Sequence, residues 1–121
     1  MGRIFVRRDE ELDWADSSTR HIINGRSAVR NKILGDEEKG PWVRVVDYAP
    51  GYEFEPHSHD QDEVIYVLQG SAEVGGQDYG PGTMIYIEKN TPYGPLKAGP
   101  EGFRFVLVRP GRTSGAVYQK N

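Results

Sequence analysis

The chain has 121 residues, enough for one modest core and hardly for two. Its formal net charge is −3 with both signs interspersed, which argues against a general nucleic-acid binder. Cysteine is absent, so disulfides and thiolate metal sites are excluded and a reducing cytoplasm, the expected location, is allowed.

In chain order, the first apolar run is Ile4-Phe5-Val6. It is too short for a signal peptide or a membrane span, so no membrane partner is expected. Arg3 to Arg8 reads as a short edge strand. Its basic cluster runs at once into Asp9-Glu10-Glu11, the pattern of a solvated patch. Asp9 to Thr19 reads as an irregular or briefly helical lead-in whose Trp14 packs onto the body. His21-Ile22-Ile23 reads as a strand, Asn24-Gly25 as a turn and Val29 to Leu34 as a strand ended by Gly35. A charged loop, Asp36 to Gly40, closes at Gly40-Pro41.

From Trp42 the pattern sharpens. Trp42 to Tyr48 is rich in β-branched and aromatic residues and is bounded by Pro50-Gly51. Tyr52 to Ser58 alternates weakly. Glu63 to Gln69 is an apolar strand stopped by Gly70. Ser71 to Val74 and Gln77 to Tyr79 flank Gly75-Gly76 as a hairpin. Thr83 to Ile87 is another strand, Asn90 to Gly102 a long loop, Phe103 to Arg109 the last strong strand and Gly115 to Gln119 an edge. No segment has sustained helical periodicity. Short strands between Gly and Pro turns predict an all-β sandwich or barrel, a single domain overall.

The chemistry gathers in one stretch. His57 and His59 are two apart, so on a strand both imidazoles aim to one face. Glu63 lies beyond the tight polar link Asp60-Gln61-Asp62, next to them if the two strands pair. Two imidazoles and a carboxylate suit iron, manganese, nickel, zinc or copper. A His-x-His pair alone is weak evidence, and a lone strand-end carboxylate is more often solvated than ligating. Tyr48, Tyr66 and Tyr86 read as core or wall. On the last strand Phe103, Phe105 and Leu107 share one face. Being the more apolar set, they are expected inside, with Arg104 outside. Gln61, Glu53 and Glu55 are weaker pocket candidates, and His21 reads as structural.

The joint pattern is specific. Gly51-x5-His57-x-His59-x3-Glu63-x6-Gly70 resembles the first motif of the cupin superfamily at every defining position. Gly82 to Gly94 resembles the second motif in degraded form. Glu88 stands at the usual proline, Asn90 at the turn glycine (asparagine tolerates left-handed geometry), Tyr93 at the metal-binding histidine and Lys97 at the asparagine. The resemblance covers roughly Trp42 to Arg109. It implies a double-stranded β-helix, a small jelly-roll barrel with residues 1–41 as N-terminal strands and decoration and 42–121 as the barrel.

The resemblance also implies a divalent metal, iron, manganese, nickel or zinc, on His57, His59 and Glu63. Tyr93 then has three readings: a phenolate ligand, a neutral second contact that donates a hydrogen bond as an acid, or the mark of a lost site. The second is favoured, because three protein ligands still bind metal and leave an open position. The expected function is a dioxygenase-like metal enzyme acting on a small organic molecule. A metal-dependent isomerase or cyclase and a non-enzymatic binding or sensing module are the alternatives. A homodimer is expected, paired through the N-terminal segment.

Overall fold

In the computed structural model the described residues are 2–17, 21–111 and 117–118. Among them the only helical turn is a 3-10 turn over Asp9–Glu11, and the rest of the regular structure is β. The strands are β1 (Ala15–Asp16), β2 (Ile22–Ile23), β3 (Arg26–Ser27), β4 (Val29–Ile33), β5 (Trp42–Tyr48), β6 (Glu53–Phe54), β7 (His57–Ser58), β8 (Glu63–Val74), β9 (Gln77–Tyr79), β10 (Met84–Ile87), β11 (Leu96–Arg109) and β12 (Val117–Tyr118). The main antiparallel sheet runs β1-β4-β5-β11-β8-β10, with β6 also on β11 and β9 also on β8. β7 pairs with β12, and β2 with β3. The fold is the all-β jelly roll that the motif resemblance implied. No helix among the described residues is long and apolar enough to cross a membrane.

The long central strands follow from period-two patterning. In β8, Glu63, Ile65 and Val67 point inward while Tyr66 and Leu68 are exposed. In β11, Phe103, Phe105, Leu107 and Arg109 point inward, and Arg104 points out against Asp47, as the apolar face predicts. Phe103 and Phe105 pack with ring centroids 4.8 Å apart, and Tyr48 lies 5.2 Å from Phe105. Trp42, Val46, Ile65, Val67 and Leu96 complete the core around them. β1 and β4 continue the same sheet outward from β5.

Five expectations need correction. Gly70 does not stop a strand: β8 runs on to Val74. Gly70 adopts φ 74°, and a Cβ there would lie 2.1 Å from the Gly102 carbonyl oxygen, so the ladder bulges at a close crossing instead of ending. The loop expected from Asn90 to Gly102 is half strand, because β11 already begins at Leu96, opposite Phe54 and Val74. Its glycines and prolines are absorbed where the register shifts between Ala98 and Phe103. Arg3 to Arg8 forms no strand. Nor is its basic cluster simply solvated: Arg3 donates to Asp36 (2.6 Å) and to the Gly40 carbonyl (2.7 Å), and Arg7 to the Leu34 carbonyl (2.7 Å). Tyr66 and Tyr86 are exposed, not core.

Trp14 packs on the outer sheet face, beneath Arg30, Lys32 and Arg104. Thr19, and Gly115, Ala116 and Gln119 of the expected edge strand, lie outside the described residues; Val117–Tyr118 of that strand is present as β12.

Candidate functional site

Backbone pairing builds the site before any side chain does. The His57 amide donates to the Tyr93 carbonyl (3.1 Å), and the Tyr93 amide donates to the His57 carbonyl (3.0 Å). This isolated antiparallel bridge sets Tyr93 opposite His57. One turn earlier, the Asn90 amide donates to the His59 carbonyl (2.6 Å). Asn90 holds φ 61°, the left-handed turn conformation expected at that motif position. The two motif segments are therefore joined along their backbones.

The side chains converge from there. His57 is buried, its ring centroid 4.5 Å from Phe54, 4.9 Å from Tyr93 and 5.0 Å from His59. Its Nδ1 lies 3.0 Å from the Glu55 carbonyl. A carbonyl only accepts, so Nδ1 carries the proton and Nε2 the lone pair. Glu63, first residue of β8, is 2% exposed. Its Oε2 accepts a long hydrogen bond from the Tyr93 hydroxyl (3.4 Å). Its Oε1 lies 3.9 Å from His59 Nε2. All four residues singled out in the motifs thus meet in one place. Of the weaker candidates, Glu53 and Glu55 are exposed, and only the Glu55 backbone reaches the site.

Burial shapes the proton affinities here. Desolvation lowers the His57 pKa below the ordinary imidazole value, and the Arg109 charge adds to this. Desolvation raises that of Glu63, opposed by Arg109 and Tyr93. Burial, then the Glu63 charge, pushes the Tyr93 phenol well above its ordinary value. At neutral pH Tyr93 is a proton-bearing donor, which disfavours the phenolate-ligand reading.

The motifs did not point to Arg109, which the structure adds. It ends β11 at 5% exposure, its NH2 group 3.2 Å from His59 Nε2 and 3.5 Å from Glu63 Oε1. Its guanidinium carbon sits 4.3 Å from the centroid of Trp42, its register partner on β5. A guanidinium only donates, so His59 Nε2 accepts and its proton is on Nδ1. One signal was available: Arg109 is in phase with Phe103, Phe105 and Leu107, the inward set.

Arg109 decides the test of metal fit. Among the described residues no cluster of three or more His, Asp or Glu side chains is spaced to hold a metal ion. An ion bound to His59 Nε2 and Glu63 Oε1 through ordinary bonds of about 2.1 Å would lie within about 3.5 Å of the Arg109 nitrogen, by the triangle of the three measured separations. Repulsion between a divalent ion and a guanidinium at that range is on the order of 10 kcal/mol at an effective dielectric constant near 20. With Arg109 in place, the residues do not fit a metal.

The sequence matches the family model described as the ChrR Cupin-like domain over residues 5–115. The chain belongs to this cupin family. A dimethylsulfoniopropionate lyase, DddW, from Ruegeria pomeroyi is 32% identical to this cupin over 100 residues, 78% of the chain. The match spans 56% of DddW, little more than half of its length. Among solved structures, the polyketide cyclase RemF from Streptomyces resistomycificus superposes with a TM-score of 0.73 at 22% identity, covering 100% of this cupin and 87% of RemF. An acetylacetone dioxygenase from Acinetobacter johnsonii gives 0.68 at 13% identity, covering 97% and 86%. At these identities the two structures speak for the shared fold.

Proposed function

We propose that this cupin is an enzyme that moves protons on a small carbonyl or carboxylate compound, as an isomerase, cyclase or lyase does. One observation carries the reading. A phenol, an imidazole and a carboxylate are brought together in one place, with Tyr93 O–H 3.4 Å from Glu63 and its ring 4.9 Å from that of His57.

In this scheme His57 Nε2 takes a proton from the carbon next to the carbonyl. The Tyr93 hydroxyl donates to the carbonyl oxygen as negative charge moves onto it, and Glu63 Oε2 keeps that hydroxyl oriented. The proton then returns at a different carbon, as in isomerisation. Alternatively, the electron pair expels a leaving group from the neighbouring carbon, as in elimination. The 32% identity to a lyase is in line with this class of chemistry. DddW's own substrate is not carried over, since the match covers only part of that protein.

Dioxygenase chemistry is the second reading, favoured by the motif and by the fold shared with an acetylacetone dioxygenase. There His57, His59 and Glu63 would hold iron, manganese, nickel or zinc, which requires Arg109 to have turned aside. A non-enzymatic small-ligand module is the third. A homodimer and a cytoplasmic location complete the proposal, with no nucleic acid or membrane as partner.

Proton exchange in D2O tests the reading. Acetylacetone and short 2- and 3-substituted carboxylates are incubated with the protein, and loss of the α-proton is followed by NMR. Exchange by the wild type, reduced on the order of a hundredfold or more in Tyr93→Phe and His57→Ala, is the expected result. Exchange indifferent to both substitutions, or iron-dependent oxygen uptake with the same compounds, sinks it.

A further inference from the structure

Arg109 stands where the motif resemblance would put a metal ion. We infer that Arg109 and a divalent metal ion compete for the same two atoms, His59 Nε2 and Glu63 Oε1, so that the folded site stays closed to metal until the guanidinium turns away. This goes beyond the proton-transfer reading and does not depend on it.

Three observations carry the inference. The first is position: the NH2 group of Arg109 lies 3.2 Å from one atom and 3.5 Å from the other, and those two atoms are 3.9 Å apart. The second is that the seat is built. The Arg109 side chain is 6% exposed, springs from the inward face of β11 and stacks on Trp42. The third is Glu63 Oε1, which is buried and accepts no hydrogen bond. A carboxylate oxygen in that state is held mainly by the Arg109 charge, so it can exchange one cation for another with little loss of directed bonding.

The consequence is quantitative. The apparent metal affinity of the wild type equals the intrinsic affinity reduced by the fraction of molecules with Arg109 turned aside. Removing the guanidinium removes that reduction.

The experiment titrates Zn²⁺ against a chromophoric chelator with the wild type, Arg109→Met and the double variant Arg109→Met/Glu63→Gln, each first checked by thermal melting. One Zn²⁺ per chain in Arg109→Met, bound at least tenfold more tightly than by the wild type and weakened again in the double variant, is expected. Equal affinity in wild type and Arg109→Met, or no binding by a folded Arg109→Met, overturns the inference.

Should Arg109→Met fail to fold, Trp42 emission decides in a Trp14→Phe chain that keeps Arg109. Zn²⁺ that binds there must shift Trp42 emission, because the stacked guanidinium has to leave. Failure to bind at millimolar Zn²⁺ agrees with a closed site. Binding with unchanged emission overturns it. Zn²⁺ uptake and proton exchange are separate readouts, so this inference and the proposed activity can fail independently.

Discussion

Tyr93 is held opposite His57 by two backbone hydrogen bonds, of 3.0 and 3.1 Å, that owe nothing to either side chain. Tyr93→Phe therefore keeps the bridge and the ring contacts with His57 and Phe54, and removes only the hydroxyl. Its long bond to Glu63 is worth about 1 kcal/mol or less to stability. Activity on whatever substrate is found should fall far more than the melting temperature. A variant that loses stability and activity in proportion would show that the hydroxyl is structural.

The core prediction concerns Phe105, 2% exposed between Phe103 and Tyr48. Phe105→Ala should cost about 3–5 kcal/mol by urea unfolding, from lost burial plus a cavity into which the surrounding strands collapse only in part. Exposed Met84→Ala, on the outer face of β10, should stay within about 0.5 kcal/mol.

Two glycines separate strain from collision. Gly75 and Gly70 both hold positive φ, 60° and 74°. A Cβ at Gly75 would meet nothing within 4 Å, whereas at Gly70 it would lie 2.1 Å from the Gly102 backbone oxygen. Gly75→Ala should cost about 1 kcal/mol, the left-handed penalty alone. Gly70→Ala should cost roughly 3 kcal/mol, because the β8–β11 crossing must part. Equal losses in a denaturant series would refute the close approach.

The pH prediction rests on Asp36. Hydrogen bonds from the Lys39 amide, the Arg3 guanidinium and the Glu38 amide lower its pKa from 3.8 to about 2. A depressed carboxylate stabilises the fold above its unfolded pKa and loses that contribution as pH falls through its folded one. The stability gap between wild type and Asp36→Asn should be full at pH 5 and above, shrink from about pH 4 and close near pH 2. Guanidinium chloride melts at those pH values measure it. A gap as large at pH 2 as at pH 5 contradicts the assignment. Exposure of Arg3 means that added salt should narrow the gap at neutral pH as well.

Much of the site was legible in residue order because its parts are local. His57, His59 and Glu63 lie within seven residues, so the short link from β7 to the start of β8 gathers them even though those two strands, expected to pair, do not: β7 pairs with β12. Inside and outside on β11 were legible for the same reason: alternation is a local rule, and Phe103, Phe105 and Leu107 satisfied it. Arg109 obeys that rule too. Its inward turn is not legible from residue order, because a charged residue at a strand end is ordinarily solvated, and only the buried Glu63 and the Trp42 ring make an inward arginine tolerable.

Sequence alone determined the fold class, the inward face of β11 and the three residues of the first motif. Periodicity and fixed spacing act within a few residues and need no distant partner. Tertiary structure decided what lies far apart along the chain. It carried β8 through Gly70, because the Gly102 carbonyl crosses there. It began β11 at Leu96, because Phe54 and Val74 offered partners. It brought Arg109 fifty positions back to His59, and so set a guanidinium where the motif led one to expect a metal. Cross-strand pairing and the neutralisation of a buried carboxylate depend on which segments meet, and no short-range pattern encodes that meeting.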